Sequence, residues 1–213
     1  PMFKFNPSIS MFVTSETNEE IDALYAKLIE GGMVMMPLDK YEWSEYYAFV
    51  QDKFGLAWQI MKGKYSDVNQ KITPTLLFVG NSFGKAEAAV KYYTEVVKPS
   101  SVDGILLYAD NEGPAAGSVK HSQFILDGKV FMAMDGYGEH KFAFNEGISF
   151  VVECKDQEEI DYYWNTLTSD GGQESMCGWL KDKYGLSWQI VPPVLGKLLS
   201  DKDSVKAGRV MQA

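Results

Sequence analysis

Histidine and cysteine are scarce in this chain of 213 residues: two of each, with His121 and His140 far from Cys154 and Cys177. No CxxC pair occurs, which excludes the usual zinc-ribbon and dithiol redox patterns, and a chain of this size needs no disulfide staple. Positive charge is also short, 20 Lys and Arg against 29 Asp and Glu for a net charge of -9. Without a basic stripe, a surface for nucleic-acid phosphates is excluded. Apolar runs reach only strand length, too short for a membrane span. The opening PMFKFNPS lacks the basic region and apolar core of a signal peptide. These absences lead us to expect an acidic, soluble, cytoplasmic protein with neither nucleic acid nor membrane as partner.

What is present is repetition, the feature to settle first. FKFNPSISMFV (3–13) matches FAFNEGISFVV (142–152), and DKFGLAWQIM (52–61) matches DKYGLSWQIV (182–191). Each copy starts with an alternating strand. A helix start follows, Thr17 three residues before Glu20 and Asp156 three before Glu159. There a cap oxygen takes an orphan amide while the Glu reaches back. Gly31-Gly32 and Gly171-Gly172 suit left-handed helix ends. More strands follow, so each copy reads as βαβββ.

Residues 72–134 read as a third such unit. ITPTLLFVG is a strand and GKAEAAVKYYTEVV a helix stopped at Lys98-Pro99; HSQFIL and KVFMAM flank an Asp127-Gly128 turn of the type favoured in two-residue hairpins. The fold class expected is α+β, with βαβββ units paired into cup-shaped sheets. The division expected is a lone unit over 1–61, a polar linker 62–71, a two-unit domain over 72–193 and a helical tail over 194–213. On that division the first unit lacks a mate. The chain is then a fragment missing a half-domain, or a homodimer covers the edges near 3–13 and 72–80.

The closing D-[KR]-[FY]-G-x-x-W-Q-I phrase, with HSQFILDGKVFMAMD ahead of its second copy, resembles the PhnB-like branch of the vicinal oxygen chelate superfamily. That superfamily has the glyoxalase/bleomycin-resistance/dioxygenase fold, and its PhnB-like branch carries the label 3-demethylubiquinone-9 3-methyltransferase-like. The resemblance implies a cup in which metal-using relatives hold one ion on His, Glu or Gln. Carried over to this chain, those ligand positions fall at Pro74, Met132, Gly147 and Gln189. A slip of one residue gives Thr75, Phe131, Ile148 and Trp188. Neither set grips a hard or borderline cation, so no metal and no other cofactor is expected.

With Met132 facing the cup, as the resemblance implies, the hairpin register brings Gln123 opposite Met132 and His121 opposite Met134, on one face. Ser149 and Glu153 share the face of Gly147, and Ser187 and Gln189 lie on the side of their strand away from Trp188. The expected ligand-binding set is Leu76, Phe78, Gln123, Met132, Met134, Ser149, Glu153, Ser187 and Gln189, with His121 as the candidate acid/base. Each has a plainer reading: a strand His satisfying a neighbour, a solvated Glu153, a Trp188 that is core. Two functions stay open, metal-independent binding of a small amphipathic molecule and metal-free catalysis through His121. The methyltransferase label fits less well, because VGNSFGK lacks the glycine spacing of a nucleotide-binding turn.

Overall fold

The computed structural model describes residues 3–212, apart from the side chains of 207, 211 and 212; it divides into two compact units, up to Gly147 and from Ile148 on. The first contains β1 (Ile9–Ser15), α1 (Asn18–Leu28), β2 (Met33–Tyr41), β3 (Ser44–Gln51) and β4 (Ala57–Lys62). It continues with β5 (Ile72–Val79), α2 (Ala86–Val96), β6 (Ser100–Leu107), β7 (Val119–Leu126) and β8 (Lys129–Gly136). The second has β9 (Ser149–Glu153), α3 (Gln157–Thr168), the short β10 (Gln173–Glu174) and β11 (Trp179–Lys181), and β12 (Ser187–Val191). Two helices follow, α4 (Leu195–Leu199) and α5 (Ser204–Gln212). The βαβββ order thus occurs three times.

Local chemistry makes these elements begin and end where they do. Thr17 Oγ1 accepts the Glu20 amide at 3.2 Å and an Asp156 oxygen accepts the Glu159 amide at 2.9 Å. The returning half of the motif differs from expectation. Glu159 reaches the amide of Lys155, one residue outside the cap, and Glu20 pairs instead with Lys71. Asp127 and Gly128 both have positive φ, 47° and 71°, which is the mirror-image turn the sequence predicts. Leu126 faces Lys129 across it.

The sheet of the first compact unit runs β2-β3-β4-β1-β5-β8-β7-β6. Its middle seam corrects the expectation of a missing mate. β1 pairs antiparallel with β5, Ser10 opposite Thr75 and Phe12 opposite Thr73, so the edges near 3–13 and 72–80 cover one another. The first unit finds its partner in the second, whereas the expected grouping put the second with the third. The third builds a sheet of its own, order β10-β11-β12-β9, in which β9 is an outer strand.

Each sheet face follows from strand parity. On one face of the first sheet lie Ile9, Val13, Val50, Ile60, Leu76, Phe78 and Phe124, all buried, together with the buried side of α2 (Ala86, Ala89, Val90, Tyr93) and Ile21 of α1. Each such side chain contributes about 1.5–3 kcal/mol of burial free energy. The opposite face carries Phe12, Tyr47, Val130 and Met132 as a second cluster. Val68, from the segment between β4 and β5, is seated among them.

That segment is more than a linker. A 3-10 turn (Tyr65–Asp67) forms within it, and Gln70 clamps β8 by donating to the Val130 carbonyl and accepting from its amide, at 2.9 and 3.0 Å. Gln123 donates to the Asp67 carbonyl at 3.3 Å.

Candidate functional site

The register of the first sheet decides which side chains share the face turned away from α1 and α2. Gln123 stands opposite Met132, as the hairpin predicts, and Met132 lies beside Thr75. Paired residues face the same way, so Gln123, Met132, Thr75 and Ser10 form one row across β7, β8, β5 and β1. Met134 lies beside Leu77 in the next row. His121 shares the parity of Gln123 on β7 and is paired with Leu106 of β6.

Leu76 and Phe78 are not on this face. Leu76 pairs with Ala133, and both residues point with the helices; Phe78 sets its ring edge against Phe144 at 5.1 Å. The expectation that they wall the cup is corrected to Thr73, Thr75 and Leu77. Aligning the strand on Pro74 puts it one residue out of step, and a one-residue slip exchanges the two faces. The apolar demand of the helix side takes the bulky alternate residues and leaves the threonines inside the cup.

From the first unit come residues that sequence reasoning reaches only through their sister copy. Tyr47 donates its hydroxyl to Gln59 Oε1 at 2.8 Å, and Gln59 Nε2 donates to Ser10 Oγ at 2.9 Å, both bonds buried. Burial pushes the Tyr47 phenol pKa up, so it stays a neutral donor. The third unit repeats the theme: Gln189 Nε2 donates to Ser149 Oγ at 2.7 Å. Ser187 pairs with Ser149 and Val191 with Glu153, so Ser149, Glu153, Ser187 and Gln189 do share a face, within the second compact unit. Glu153 is exposed. The signal for Ser10 and Gln59 is the repeat itself, NPSIS and AWQI standing where NEGIS and SWQI stand.

His121 is half-buried, and desolvation lowers its pKa below the usual imidazole value, so the ring is neutral at pH 7. Among the described residues no carboxylate or hydroxyl orients it. Gln123 also donates to Asp103 Oδ2 at 3.2 Å, at the outer end of the row.

Two repeated carboxylates have purely structural work. Asp182 accepts the amides of Tyr184 and Leu186 at 2.8 and 3.1 Å and the indole N–H of Trp188 at 2.9 Å. Asp52 does the same for Phe54, Leu56 and Trp58 at 2.9, 3.1 and 3.0 Å. The conspicuous phrase is therefore a turn lock. Trp188, 3% exposed, is core as expected. Buried Asp135, for which the sequence gives no signal, accepts amides of Gly84, Ala86 and Val119 at 2.8, 3.3 and 2.9 Å. Burial raises its pKa, and the amide bonds oppose that rise.

Among the described residues no group of three or more His, Cys, Asp or Glu side chains converges as a metal site would require. The cup face offers thioether, amide and hydroxyl, a poor match for a divalent cation.

A family model described as 3-demethylubiquinone-9 3-methyltransferase matches residues 1–61 and 70–191. The chain belongs to that family. Among solved structures, a putative 3-demethylubiquinone-9 3-methyltransferase, PhnB protein, from Bacillus cereus is 36% identical over 58% of this chain and 99% of its own, with a TM-score of 0.51. Glyoxalase I from Zea mays is 13% identical over 91% of this chain and 71% of its own, with a TM-score of 0.55, a likeness of fold. A mutant form of the same maize protein is 12% identical over 87% of this chain and 68% of its own, with a TM-score of 0.58. No curated protein matches the sequence. The family is thus PhnB-like, and its fold that of the glyoxalase/bleomycin-resistance superfamily. No helix among the described residues is long and apolar enough to cross a membrane.

Proposed function

We propose that this PhnB-like chain binds a small amphipathic molecule, without a resident metal, on the face shared by β4, β1, β5 and β8. The observation that carries this reading is the mixture there. Met132 and Met134 supply adaptable apolar contact beside a buried chain of hydrogen bonds from Tyr47 through Gln59 to Ser10. Binding is favoured over catalysis because His121 is neutral and lacks an orienting partner among the described residues, and a general acid/base normally has one.

Methyl transfer is supported less. A nucleotide-bearing donor wants a free helix N-terminus, and the amide of Ala86, which opens α2, and that of Gly84 just before it already bond to Asp135. A homodimer remains part of the proposal, moved from the edges of β1 and β5 to the outer edge of β9, the end strand of its sheet.

Nile red, a neutral apolar dye, tests the site. We expect saturable binding of one dye per chain, weakened at least fivefold by Met134→Lys and little changed by chelator. Absence of saturable binding, or a stoichiometric divalent metal found by elemental analysis, overturns the reading.

A further inference from the structure

The centre of the cup face holds hydroxyls with no hydrogen-bond partner among the described residues. Thr73 and Thr75 are fully buried and Thr14 nearly so, and the hydroxyl of each lacks a hydrogen-bond partner among the described residues. All three share the face of Met132: Thr75 lies between Met132 and Ser10, Thr73 opposite Phe12, and Thr14 two residues further along β1. An unpartnered buried hydroxyl is costly, and one such group per site is commonly tolerated; three on one face are a built feature. Charge is missing as well. On the four central strands this face shows Ala57, Gln59 and Met61 from β4, Val130, Met132 and Met134 from β8, and from β1 and β5 only hydroxyls, Phe12, Leu77 and Val79.

We infer that Thr73 and Thr75 form the recognition point of the cup for an uncharged ligand bearing a carbonyl or similar acceptor on an apolar body. This rests on the cup being a binding site, and adds the ligand's chemical class. A carboxylate finds no cation on these strands to offset its desolvation, and an ammonium finds no carboxylate. A carbonyl finds buried hydroxyl donors that have no partner to give up among the described residues, so the hydrogen bond gained on binding breaks none already made there. Val68 lies over this face, so entry displaces the 62–71 segment.

The test is displacement of Nile red by four probes of one shape: 2-acetylnaphthalene, 2-ethylnaphthalene, 2-naphthoate and 2-naphthylmethylammonium. The acetyl compound should bind about five- to tenfold more tightly than the ethyl one, the worth of one neutral hydrogen bond, and both ions should bind more weakly than either. Thr75→Val or Thr73→Val should erase the acetyl advantage, and Thr75→Ser should keep it. The Val variants should also raise the melting temperature of the free protein, since each removes a hydroxyl without a partner. Equal affinity for all four probes, tightest binding of naphthoate, or an acetyl advantage surviving in both Val variants overturns the inference while the cup stands. Melting temperatures that fall in the Val variants mean the hydroxyls are satisfied by water and equally overturn it. If Nile red itself does not bind, the cup reading fails first and this inference with it.

Discussion

Replacing Asp182 by Asn measures what the repeated D-K-[FY]-G-L-x-W-Q phrase contributes. One carboxylate oxygen accepts two backbone amides, from Tyr184 and Leu186, and the other accepts the Trp188 indole N–H. An amide has a single acceptor oxygen. Turned to the backbone amides, it leaves its NH2 facing the indole N–H, donor against donor, in a site where Asp182 is 2% exposed. A hydrogen bond to a charged group contributes about 1.5–3 kcal/mol and one between neutral groups about 0.5–1.5. Losing the indole bond and weakening the other two should therefore cost about 3 kcal/mol. Asp52 makes the same three bonds but is only half-buried, so Asp52→Asn should cost about 1–2 kcal/mol, discounted for solvent. Urea denaturation followed by circular dichroism gives both numbers without relying on tryptophan emission. The double variant Asp182→Asn/Trp188→Phe removes the clashing donor, so it should cost less than the sum of its singles by at least about 1 kcal/mol. Strict additivity, or an Asp182→Asn cost below about 0.5 kcal/mol, would refute the turn-lock argument.

Other outcomes follow from the same structure. Because burial lowers the His121 pKa, the folded state binds fewer protons than the unfolded one just below the ordinary imidazole value. Its contribution is complete above about pH 6.5 and is lost as pH falls through the window beneath; His121→Gln should flatten the stability slope just below about pH 6.5, read by melting temperature. Gly178 has φ 78°, and an added Cβ would meet the Ile190 carbonyl oxygen at 2.5 Å. Gly178→Ala should cost about 3 kcal/mol, from left-handed strain plus the clash. Gly185, at φ 87° with open space around it, should cost only about 1–2 in the same chemical-denaturation assay. Asp135→Asn should loosen the start of α2, seen as faster hydrogen exchange at Gly84, Ala86 and Val119.

The sequence makes the elements legible because each has a local cause. Thr17, Asp156 and Asp127-Gly128 act over three or four residues, and the chain around them reads correctly. Pairing between units is a different matter. β1 and β9 are near copies, so nothing local says which of them lies against β5, and the mate of the first unit escapes the sequence for that reason. The parity of β5 fails for a related cause: in ITPTLLFV both alternate sets contain apolar residues, so the pattern alone does not say which set faces the helices. Within the second unit the hairpin register suffices, and Gln123 and Met132 are found together. Ser10, Gln59 and Tyr47 join the cup only once β1 is known to lie beside β5.

The seam itself has a directional consequence. Ser10 and Thr75 face one another across β1 and β5, and each has a parallel neighbour on its other side, Ala57 for Ser10 and Met132 for Thr75. Two residues further along each strand, Phe12 adjoins Gln59 on one flank and Leu77 adjoins Met134 on the other. The halves thus match in backbone and diverge in chemistry, amide to the left and thioether to the right. A guest with unlike ends would be sorted head from tail as it settles, something that a floor made of two identical halves has no means to do.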